Sequence, residues 1–108
     1  MKNSFPQASP FSLKDGIAYA ENGIVSKILS KRKGGSVTLF AFDEGQSLSE
    51  HTAPFDALVQ IIEGRALIVI KDLEQEVIAG QMLIIPAHDA HALRAPEKFK
   101  MLLTMLKD

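Results

Sequence analysis

Short apolar, β-prone runs, each closed by a turn signal, succeed one another along nearly the whole chain, and this rhythm constrains the fold more than any other feature. The runs are Ile17–Ala20, Ile24–Leu29, Ser36–Phe42, Ala57–Glu63, Ala66–Lys71, Glu76–Ile78, Met82–Ile85, His91–Ala95 and Lys100–Leu106. They are broken at Asn22-Gly23, Gly34-Gly35, Asp43-Glu44-Gly45, Glu63-Gly64, Ala79-Gly80 and Ala95-Pro96. Runs this short, at this spacing, predict an all-β sandwich or barrel. No stretch sustains a helical period for three turns.

A length of 108 residues suits one domain with one core. Residues 1–15 hold two of the five prolines and few apolar side chains, which predicts an extended arm followed by a barrel domain over 16–108. A net charge of -1 offers no electrostatic basis for binding nucleic acid or an anionic membrane. The one basic run, Lys31-Arg32-Lys33, precedes Gly34-Gly35 and reads as a solvated hairpin turn. With no cysteine there is no disulfide, thiolate metal site or cysteine nucleophile. The first ten residues lack the apolar core of a signal peptide, and no apolar run reaches membrane-spanning length, so a cytoplasmic location is expected.

The strands carry a second message. A sheet with one wet face alternates apolar and polar residues. Val37–Phe42, Ala57–Ile62, Ala66–Ile70 and Met101–Leu106 are instead apolar on both faces. One face can line a barrel interior; the other needs cover from the arm, from a second sheet or from another subunit. A homodimer with an isologous interface is therefore expected. Exchange of the arm between subunits is a further possibility. By strand alternation Gln60 belongs to the outer, dimer-facing side, with Leu58 and Ile62.

Two stretches carry a motif. Gly45-Gln-Ser-Leu-Ser-Glu-His51-Thr-Ala53-Pro-Phe-Asp-Ala57, continuing to Gly64, is similar to the first motif of the cupins: a Gly, five residues, His-x-His, an acid, then a turn Gly. Gly80-Gln-Met-Leu-Ile-Ile-Pro86-Ala-His88-Asp-Ala-His91 resembles the second: a Gly, five residues, Pro-x-Gly, two residues, His. From about Phe11 to Leu106 the chain thus resembles a small single-domain, RmlC-like cupin. The resemblance implies a double-stranded β-helix, a jelly-roll barrel, with any site in its mouth.

In cupins with the full set, three His and one Glu hold a divalent metal such as Mn, Fe, Ni, Cu or Zn. Carried over by motif, His51 and His91 match ligand positions, whereas Ala53 and Ala57 stand where a His and the Glu would be. His88, at the Gly position of Pro-x-Gly, is a third, weaker metal candidate. Asp56 and Glu50 flank ligand positions, but alternation sends them to the opposite face unless a bulge intervenes. Losing two polar ligands leaves apolar space, so Ala53, Ala57, Val59, Ile61 and Leu93 are expected to line a pocket, joined by Phe40 or Phe42 and some of Met82, Met101 and Met105.

Three function classes follow. The first is a module binding a small, partly apolar or carboxylate-bearing molecule near His51 and His91. The second is an enzyme, either a metal-dependent oxygenase, isomerase or lyase, or a metal-free catalyst using an imidazole as general acid–base. The third is a sensory or structural role acting through the outer apolar faces.

Overall fold

The computed structural model describes residues 5–108. It is all-β: nine strands, β1 (Ile24–Arg32), β2 (Gly35–Phe42), β3 (Ser47–His51), β4 (Asp56–Glu63), β5 (Arg65–Ile70), β6 (Leu73–Ile78), β7 (Met82–Ile85), β8 (His91–Arg94) and β9 (Phe99–Leu106). They form a five-stranded sheet, β1-β2-β9-β4-β7, and a four-stranded sheet, β3-β8-β5-β6. Every strand pairing is antiparallel. No helix among the described residues is long and apolar enough to cross a membrane.

Local chemistry sets the turns. The β5–β6 connection is the two-residue loop Lys71-Asp72, with φ of 49° and 69°, since Ile70 pairs with Leu73. Two consecutive left-handed residues match the right-handed twist of the flanking strands. Gly64 carries the chain from β4 in one sheet to β5 in the other at φ 75°, and a Cβ there would overlap the Lys98 carbonyl.

The inward faces of both sheets meet in one core. Phe42, Ala57, Val59, Ile61, Phe99 and Met101 come from the larger sheet, and Ala66, Ile68, Val77 and Leu93 from the smaller. The Phe42 and Phe99 rings stack at 4.4 Å.

The doubly apolar strands are explained in part by the arm. Leu39 and Ala41 point away from the barrel interior yet are fully buried, because Phe5 and Ile17 cover them beside Tyr19, Ile62 and Leu102. The expected strand at Ile17–Ala20 is therefore not a strand. Its apolar residues serve as a lid on the outer face, and alternation cannot distinguish a lid from a strand. The described part of the arm leads into a 3₁₀ turn, Lys14–Gly16, and packs on the larger sheet; residues 1–4 of the expected arm lie outside the described residues. The run that sequence reading passed over is β3. Four of its five residues, Ser47, Ser49, Glu50 and His51, are polar and exposed, so it shows no apolar run.

A polar clasp secures the arm. Lys100 is buried, and its Nζ donates to the Lys14 carbonyl at 2.6 Å while lying 5.0 Å from the Tyr19 ring. The Tyr19 hydroxyl donates to Glu63, whose other oxygen faces Lys14 Nζ at 3.5 Å. The Tyr19 hydrogen bond, helped by Lys100 and Lys14 and opposed by burial, holds the Glu63 carboxyl below its usual range. Burial first, then Glu63, pushes the Tyr19 phenol upward. Both shifts favour a neutral phenol beside a carboxylate. A carboxyl depressed in the folded state stabilises above its unfolded pKa, and that stability is lost as pH falls through the folded value. Tyr19→Phe is accordingly expected to cost about 1–2 kcal/mol at pH 7, with a smaller deficit at about pH 3. Urea midpoints at the two pH values check this; an unchanged deficit would contradict it.

Candidate functional site

Motif one and motif two converge through β3 and β8. Ser47 pairs with Arg94 and Leu48 with Leu93, but His51 pairs with His91, so a bulge adds one residue to β3 between Leu48 and His51. Without it Glu50 would stand opposite His91. The bulge reverses the parity of the strand, so Leu48 and His51, three apart in sequence, both turn into the barrel. Glu50 is left exposed. As cross-strand partners, His51 and His91 bring their rings to a centroid distance of 4.3 Å with planes 59° apart. His91 is buried and His51 exposed, which places the pair at the cavity rim.

Each ring is fixed in the same way. His51 Nδ1 donates to the Ser49 carbonyl and His91 Nδ1 to the Asp89 carbonyl, both at 2.9 Å. A carbonyl oxygen can only accept, so in the neutral imidazole the proton sits on Nδ1 and the lone pair on Nε2. The same backbone-carbonyl hydrogen bond stands behind histidines that use Nε2 as a ligand or acceptor.

Behind the pair lies a cavity of about 60 Å³ lined by Phe40, Leu48, Ala53, Ala57, Val59, Ile85, Leu93, Met101, Leu103 and Met105 together with the two histidines. Among the described residues, His51 and His91 are the only polar side chains that line it. Of the expected pocket residues, Ala53, Ala57, Val59 and Leu93 line it, and Ile61 lies in the packed core instead. Among the aromatic and methionine candidates, Phe40, Met101 and Met105 line it. Phe42 is fully buried against Phe99, and Met82 is exposed on the outer face. Leu48, Ile85 and Leu103 were not anticipated. Leu103 was legible from its alternation with Met101 and Met105; Leu48 required the unseen strand.

The remaining candidates do backbone work. His88 is exposed, at φ 72°, and its backbone N–H donates to the Ala53 carbonyl at 2.8 Å, tying the two motif loops together. The left-handed conformation explains why a glycine would suit that position. Asp56, exposed, accepts from the Ala87 N–H at 2.9 Å. Among the described residues no group of three or more His, Asp or Glu is assembled that could hold an ion. The family's divalent centre therefore does not fit this chain: two of its four positions are alanine, and no neighbouring acid or His88 replaces them.

Solved structures give the context for this partly emptied site. A conserved protein of unknown function from Streptococcus pyogenes aligns with a TM-score of 0.94 and 34% identity over 98% of this chain and 93% of its own. A cupin superfamily protein from Desulfitobacterium hafniense aligns at 0.92 and 34% identity, over 99% and 97%. A cupin 2 conserved barrel domain protein from Leptotrichia buccalis aligns at 0.87 and 36% identity, over 90% of this chain and 47% of the other. No family model matches, and neither does any curated protein. With a histidine pair set between two Gly-anchored motif loops, and 34% identity to the Desulfitobacterium cupin over nearly the whole of both chains, the chain belongs to the cupin superfamily.

Proposed function

We propose that this cupin is a small-molecule binding module, its ligand seated in the barrel mouth with one polar group on His51 and His91. The observation that carries the reading is the composition of the cavity among the described residues: apolar walls, and two imidazoles whose Nε2 atoms are the sole polar side-chain groups without a backbone partner. Neutral Nε2 accepts from a hydroxyl or an undissociated acid; the protonated ring donates to a carboxylate. A cavity of about 60 Å³ is less than half the roughly 150 Å³ that holds benzene in an engineered protein core. The inserted portion is thus a short aliphatic group or a small ring substituent.

Titration with four- to six-atom alcohols and carboxylic acids, followed by NMR, tests this. Saturable shifts at His51, His91 and the cavity methyls are expected, with affinities of about millimolar order, and their loss in the His51→Ala/His91→Ala double variant. Shifts that persist unchanged in that variant would refute the reading.

The outer face left bare by the arm supports a homodimer. Val37, Thr104, Leu58 and Ile84 stand in one row across β2, β9, β4 and β7. Ile84 and Met82, 59% and 52% exposed, continue this apolar strip with Leu106, and such strips are uncommon on soluble monomers. Ile84→Lys is expected to shift a dimeric species to monomer in light scattering while the circular dichroism spectrum stays unchanged. A variant of unaltered mass at the same concentration would exclude this face as the interface.

A further inference from the structure

The part of the larger sheet that the arm leaves uncovered is self-complementary. Strand register sets its outward residues in rows. One row runs Arg32, Gly35, Leu106, Asp56 across β1, β2, β9 and β4. The next runs Ser30, Val37, Thr104, Leu58 and ends on β7 at Ile84. The first row thus has a cation at one end, an anion at the other, and a leucine beside a glycine between them. Leu106 is 49% exposed. Beside it lies a hollow of about 250 Å³, floored by Gly34 and Gly35 and walled by Ser30, Arg32 and Val37. Roughly 150 Å³ holds benzene in an engineered core, so a leucine side chain fits this hollow.

The two end charges are prepared for a partner. Both are exposed, and among the described residues neither forms an ion pair within the chain. Asp56 is held in place by the second motif loop: its Oδ1 accepts from the Ala87 N–H at 2.9 Å, which leaves Oδ2 open to another donor. Arg32 Nη1 donates to the Lys31 carbonyl at 2.9 Å, and the guanidinium keeps further N–H donors for a carboxylate.

Symmetry then selects a register. Two copies packed face to face through the same surface are related by a two-fold axis lying in the interface. An axis running across the strands through the first row would set Arg32 on the partner's Arg32 and Asp56 on the partner's Asp56. An axis along the strands, between β2 and β9, reverses the row instead. Arg32 then meets the partner's Asp56, and Leu106 meets the partner's Gly35. In the second row Val37 meets the partner's Thr104, and Ile84 reaches the margin of the partner's β1. Sheets stacked in this way keep their strands within about 30° of each other, as aligned sheet packing does.

We propose that a second copy of this chain docks here about an axis parallel to the strands, each Arg32 pairing with the partner's Asp56 and each Leu106 entering the partner's Gly34–Gly35 hollow. The inference rests on the homodimer reading above and adds the register, with two symmetry-related ion pairs.

The test is sedimentation equilibrium of the whole chain at low and high salt. It compares the parent with Arg32→Glu, with Asp56→Asn, which keeps an acceptor for the Ala87 N–H, and with the charge exchange Arg32→Glu/Asp56→Lys. Each substitution acts twice in a symmetric dimer and like charges facing across an interface are strongly disfavoured, so Arg32→Glu should raise the dimer dissociation constant at least about tenfold. Asp56→Asn should raise it less and flatten its salt dependence. The charge exchange should bring it back to within about threefold of the parent. An unweakened Arg32→Glu dimer, or no recovery on charge exchange, would overturn this register. A monomeric parent would overturn the register and the homodimer together. Dissociation by Ile84→Lys alongside unaffected charge variants would retain the face as the interface and refute the register alone.

Discussion

Restoring the two absent ligands, as Ala53→His with Ala57→Glu, is expected to raise affinity for a divalent ion at least about a hundredfold, because protein metal sites generally use three or more protein ligands. The geometry favours this gain. Ala57 is inward and buried, flanked by Ile85 and Met105, and it borders the cavity into which a longer side chain would extend. The Ala53 backbone is already tied to the second motif through the His88 N–H. Without metal, the new carboxylate is buried among apolar walls and should lower stability by a few kcal/mol. With metal that loss is recovered, since an ion bound only by the folded state stabilises it in proportion to its occupancy. Calorimetric titration and melting with and without chelator measure both effects. Binding no tighter than in the parent would mean that positions 53 and 57 do not face the histidine pair.

Gly64→Ala is expected to be among the most destabilising single substitutions in the chain, costing roughly 3 kcal/mol or more. A left-handed conformation costs an ordinary L residue about 1–2 kcal/mol. Here the added Cβ must also displace the Lys98 carbonyl, which is backbone and cannot swing aside. Gly80 provides the control: its φ is 90°, but a Cβ there meets nothing within 4 Å. Gly80→Ala should therefore cost only the conformational part, about 1–2 kcal/mol. For a domain of this size the Gly64 variant should melt roughly 12 °C or more below the parent. Equal melting temperatures for the two variants would show that the close approach at Gly64 is relieved without cost.

Much of this architecture was legible because apolar periodicity and glycine placement act locally. Met82–Ile85 is a strand with the predicted bounds, and Asn22 and Asp72 occupy turns at positive φ. The motif spacing singled out His51 and His91, which the fold brings into ring contact. What sequence could not show depended on partners distant in the chain. The β3 bulge is visible only against β8, and it alone determines that His51, not Glu50, turns inward. Ile17–Ala20 resembled a strand because covering an apolar sheet face and joining a sheet demand the same residues. Which of Met82, Met101 and Met105 enter the pocket depends on register across strands far apart in sequence, which sets Met105 opposite Ala57 and Met82 opposite Gln60.

The most direct measurement is a long-range proton–nitrogen correlation spectrum of the histidine side chains, taken where imidazole is neutral. His51 and His91 should each show a protonated Nδ1 and a lone pair on Nε2, with Nε2 shifting when a cavity ligand is added. Protonated Nε2 on either ring would contradict this arrangement, because that ring could not donate to its backbone carbonyl and would present no lone pair to the cavity.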